Sequence, residues 1–92
     1  MLASCPPSRR INLVLRDFGD GIVVYDEADG GLRALSSVAG LVLGALITND
    51  SLTPRELARS LQFDEPSQEE LEQLQTIMLE LHSVGLVDCR PA

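Results

Sequence analysis

The sequence has no lysine and no tryptophan, one histidine, and three aromatic residues, Phe18, Tyr25 and Phe63. Each shortage excludes something. Seven arginines stand against 14 acidic residues, for a net charge of −7, and such a field repels nucleic acid and anionic membranes. The two cysteines, Cys5 and Cys89, lie near opposite ends without Cys-x-x-Cys spacing, and His82 has no second ligand near it in sequence. A metal site is therefore not expected, nor a cofactor. Ser36 and Ser37 belong to no motif that would join them to His82 as a nucleophile pair. No Gly-Lys-Ser or Gly-x-Gly-x-x-Gly follows Gly30-Gly31, so there is no phosphate loop. The longest apolar run, Val38 to Ile47, is far shorter than the ~20 residues of a membrane span, and no charged-then-apolar signal pattern opens the chain. The expectation is a cytoplasmic, non-catalytic protein whose cysteines are free thiols, with a terminus-to-terminus disulfide as the alternative.

What is present reads as one small domain over residues 11–90, preceded by a mobile tail. Residues 1–10 hold a Pro-Pro pair, serines and Arg9-Arg10, a composition typical of solvated ends, in which the arginine pair is either free or a hook for a partner. From Ile11 to Phe18, Ile11, Leu13 and Leu15 make one apolar face of a first strand. Gly19-Asp20-Gly21 then supplies a hairpin turn. Ile22 to Asp26 is β-branched and aromatic, Asp29-Gly30-Gly31 turns the chain again, and Leu32 to Leu35 forms a third strand. Links this short predict an antiparallel meander.

Three helices follow. Ser36 caps the first, over about Ser37 to Ile47, which is apolar on every side and so should be buried all round. Gly40 and Gly44 share one of its faces and suit close packing. Thr53-Pro54-Arg55-Glu56 opens the second with a capping box, with Leu52 and Leu57 placed as a staple. Ser67 and Glu70 open the third, whose stripe is Leu71, Leu74, Ile77, Met78, Leu81 and Val84, and Gly85 stops it. A short extended piece over Leu86 to Asp88 completes the chain. The order predicts an α+β, winged helix-turn-helix-like unit, a three-stranded antiparallel sheet followed by three helices.

That order suggests DNA binding, but no arginine lies between Ser60 and Cys89, and the third helix carries Glu69, Glu70, Glu72 and Glu80, which repel phosphate. A binding module for other partners remains. If the meander keeps its sequence order, the third strand is an edge open to an extended peptide. On the third helix, Leu79 points roughly 150° from the centre of the apolar stripe, near Gln75 and His82. Leu79 is either a lone exposed leucine or part of a partner-facing patch. Met78 is either core or an adaptable groove lining, and Arg33 either solvated or an attraction for an acidic peptide.

Leu35-Ser36-Ser37-Val38-Ala39, Leu43, Leu46, Leu52-Thr53-x-x-Glu56-Leu57 and Leu81-x-x-x-Gly85-Leu86-Val87 together resemble the PqqD-like family. Gly21-Ile22-Val23-Val24-Tyr25-Asp26 is similar to its peptide-chaperone subgroup of the HPr-rel-A system. Family members commonly have Asn after the leucine where this chain has Ser36. The resemblance implies the fold called the RiPP recognition element, in which the leader of a precursor peptide adds to the third strand, against the third helix, and is delivered to a modifying enzyme. It places contacts at Leu32, Arg33, Ala34 and Leu35, and at Gln75, Met78, Leu79 and His82. A competing expectation is a structural or oligomerisation module whose edge strand and Leu79 pair with another copy, forming a homodimer, or with a larger enzyme.

Overall fold

The computed structural model describes residues 1–28, 30–63 and 65–91, apart from the side chains of Arg9 and Arg10. The expected turn residue Asp29 and the Arg9-Arg10 hook lie outside them. Two short elements open the chain, strand β1 (Leu2–Ser4) and helical turn α1 (Pro7–Arg10). Strands β2 (Leu13–Asp17), β3 (Ile22–Asp26) and β4 (Gly31–Leu35) come next, then helices α2 (Ser37–Thr48), α3 (Pro54–Ser60) and α4 (Gln68–Ser83), and strand β5 (Asp88–Arg90). The architecture is α+β, a three-stranded antiparallel sheet in the order β2-β3-β4 followed by three helices, in keeping with a winged-helix-like unit.

The start of the chain is not a tail. β1 pairs antiparallel with β5, and Ala3 exchanges two 2.9 Å backbone hydrogen bonds with Leu52. Ala3 and Cys5 are wholly buried. Pro7 and Ser8 are exposed, so a solvated stretch begins only after the strand. Neither Cys5 nor Cys89 is in a disulfide. Burial, reinforced by the carboxylate of Asp88, pushes the Cys89 thiol up from its ordinary pKa, and the amino terminus opposes this.

The local signals act as the side chains dictate. Ser36 Oγ accepts from the Ala39 N–H, and both capping boxes close, Thr53 with Glu56 and Ser67 with Glu70. Gly85, at φ +81°, ends α4, with the Leu86 N–H on the Leu81 carbonyl and the Gly85 N–H on that of His82. This left-handed cap folds Leu86 back under the helix. Leu43, Leu46, Leu57, Met78 and Leu81 fill the centre of the core.

Helix α2 departs from expectation. It buries Ala39, Gly40, Val42, Leu43 and Leu46, but Val38 and Leu41 are 51% and 58% exposed. An all-apolar sequence does not by itself supply neighbours on every side. Its two glycines also differ. A Cβ on Gly40 would collide with the side chain of Ile22, whereas one on Gly44 would meet nothing. Gly40→Ala should therefore destabilise by about 1–3 kcal/mol through overpacking, while Gly44→Ala should stabilise by up to ~1 kcal/mol through helix propensity. Thermal melts of the two variants, shifting in opposite directions, check this.

Candidate functional site

Alternation in the sheet decides which groups face outward. Hydrogen-bonded pairs alternate along an antiparallel ladder. The Phe18 N–H on the Gly21 carbonyl and the Glu27 N–H on the Asn12 carbonyl set the phase of the β2–β3 ladder. On β3, residues 23 and 25 then bond to β2, leaving 22, 24 and 26 for β4. Through the register Ile22↔Leu35, Val24↔Arg33 and Asp26↔Gly31, residues 31, 33 and 35 of β4 turn their backbone groups to β3. Leu32 and Ala34 turn theirs to the free edge, where no backbone partner stands among the described residues. Leu35 points inward and packs against the core, and Arg33 is exposed on that same face.

Helix α4 runs beside this edge in the opposite direction. The start of β4 (Gly31, Leu32, Arg33) and the end of α4 (Val84, with Leu86) enclose a cleft of about 170 Å³, floored by Val24 and Asp26. The first turn of α2 (Val38) faces the first half of α4 (Glu69, Glu72, Gln73, Thr76, Ile77) across a wider, open groove of about 580 Å³. The two lie along α4 as the ends of a trough, cationic and anionic at the β4 end through Arg33 and Asp26, and apolar with a carboxylate rim at the α2 end.

Of the eight residues expected at the site, only Leu32 and Arg33 line the trough; Ala34 lies on the same free edge, and Leu35 packs inward. Met78 is wholly buried and belongs to the core, because it sits within one helical step of Leu74 and Leu81. Gln75, Leu79 and His82 are exposed but line neither part of the trough. At 100° per residue they lie roughly 140–180° round α4 from the face carrying Gln73, Ile77 and Val84. His82 instead ties the chain end to the helix, its Nδ1–H donating to the Val87 carbonyl at 3.0 Å. The trough residues that sequence reasoning missed include Val38, Glu69, Glu72, Gln73, Thr76, Ile77 and Val84. Ile77 and Val84 were visible as one flank of the apolar stripe, the flank that the core leaves half covered.

A second apolar surface lies on the outer sheet face. There the cross-strand row Val14–Tyr25–Leu32 stands exposed beside Phe18, bordered by Arg16 and Glu27. Among the described residues, no three His, Cys, Asp or Glu gather as metal ligands, and no helix is long and apolar enough to cross a membrane.

No family model matches this sequence, and no curated protein matches it. A solved structure does match in fold. It is TbiB1 in complex with the TbiA(beta) leader peptide, 14% identical over 88% of this chain and 94% of that one, with a TM-score of 0.62. At that identity the likeness is one of fold.

Proposed function

We propose that this chain is a non-catalytic peptide-binding protein, taking the leader segment of a ribosomally made precursor peptide as an added strand on β4 and presenting it to a modifying enzyme in the cytoplasm. The observation that carries this reading is the free edge at Leu32 and Ala34 lying beside a side-chain trough. Backbone pairing alone is weak. Two residues offer four outward groups, each worth a net ~0.5–1.5 kcal/mol, against association costs of about 4–15 kcal/mol. Side chains buried in the trough, at roughly 25 cal/mol per Å² of apolar surface, supply the remainder. The fold shared with a protein solved on a leader peptide supports the reading, as do the motifs of the PqqD-like resemblance.

The test is a titration of the labelled protein with the leader of a precursor peptide encoded beside its gene, followed by amide spectra. The expected result is a shift of the Leu32 and Ala34 amides with micromolar or tighter binding. Heat without those shifts, or neither, rejects strand addition. The alternative, self-association, is favoured by the exposed Val14–Tyr25–Leu32 row. It requires a mass that rises with concentration in light scattering.

A further inference from the structure

The two ends of the trough differ in what they can select. At the Arg33 end, Asp26 lines the same cleft, so the charges offset. At the other end the lining is one-signed. Val38, half exposed although apolar, faces Ile77 across the 580 Å³ groove, and Glu69 and Glu72 form the rim on the α4 side. No arginine or lysine occurs between Ser60 and Cys89 to neutralise them. The Gln68 side chain donates to one Glu72 oxygen at 3.4 Å, which leaves the charge in place. Exposed apolar surface framed by polar groups is how binding grooves present themselves.

Resting on the strand-addition reading, we infer that this end is a specificity subsite, which takes an apolar side chain of the bound peptide between Val38 and Ile77 and a Lys or Arg side chain against Glu69 and Glu72. In an extended chain, residues two apart share a face about 6.6 Å apart. That spacing lets an apolar side chain sit at Ile77 while a long cationic one reaches toward the start of α4. In an antiparallel addition to β4 the cationic residue precedes the apolar one. The selectivity is electrostatic and exposed, so it weakens with salt.

The experiment uses a display library of random 12-residue peptides selected on the intact chain, on Glu69→Gln/Glu72→Gln and on Glu69→Lys/Glu72→Lys. Glu70 is left alone because it closes the α4 capping box. The intact chain should enrich Lys or Arg two positions before an apolar residue. The Gln variant should bind the winning peptide about three- to tenfold more weakly, and the Lys variant should enrich Asp or Glu there instead. Circular dichroism confirms that each variant folds. Winners that shift the Leu32 and Ala34 amides but show no charge preference, or the same preference on all three proteins, overturn the subsite and leave strand addition standing. Winners that leave those amides unmoved overturn both.

Discussion

Ala34→Pro should sharply weaken peptide capture while leaving the protein folded. Proline lacks an N–H, and in a sheet it is tolerated where that N–H faces away from the neighbouring strand. Ala34 is such a position, because its backbone groups point to the free edge and not to β3. An added strand would lose one donor and leave its own carbonyl unpaired against the ring, a cost of about 1–3 kcal/mol, or roughly 5- to 150-fold in affinity. Arg33→Pro is the control. Its N–H serves the ladder to β3, so that variant should lose fold stability first. The pair is read by a binding titration and a thermal melt on each. Equal binding by Ala34→Pro and the parent protein would mean the peptide does not pair with β4.

Removing residues 1–5 should cost about 3–5 kcal/mol of stability. The deletion takes away the ladder between β1 and β5, both Ala3–Leu52 hydrogen bonds, each worth a net ~1 kcal/mol, and the wholly buried Ala3 and Cys5, whose loss opens a cavity against Leu52 and the core. A domain this size holds about 5–14 kcal/mol at ~0.05–0.15 kcal/mol per residue. The melting temperature should therefore fall by more than about 12 °C. Ala3→Asp makes the same point with one atom group, since it buries a carboxylate without a partner. A urea midpoint unchanged by the deletion would return residues 1–5 to the status of a solvated tail.

The two predictions mark where sequence reasoning succeeded and where it stopped. The third strand was legible because Leu32 to Leu35 lies between glycine and serine punctuation, and its short links leave few topologies. β1 was not legible. Leu2-Ala3-Ser4 is too short to show alternation, and its partners, Leu52 and Asp88 to Arg90, lie about 50 and 85 residues further along. The groove face of α4 was misplaced for a related reason. Leu79 stands out as a leucine off the stripe, but an exposed leucine is ordinary, and only the tertiary structure sets Val84 beside β4 and Gln73, Thr76 and Ile77 opposite Val38.

The sequence by itself determined the order of the elements from β2 to α4, the caps of α2, α3 and α4, the left-handed stop at Gly85 and the antiparallel meander. These depend on neighbours within about five residues, where side-chain chemistry acts directly on the backbone. Tertiary structure decided that Val38 and Leu41 stay exposed, that Met78 is core, that His82 anchors the chain end, and that the edge residues Leu32 and Ala34 lie beside a trough with a carboxylate rim. Each of these depends on which surfaces distant segments bring together, and hydrophobic burial, being non-directional, leaves no local mark of its partner.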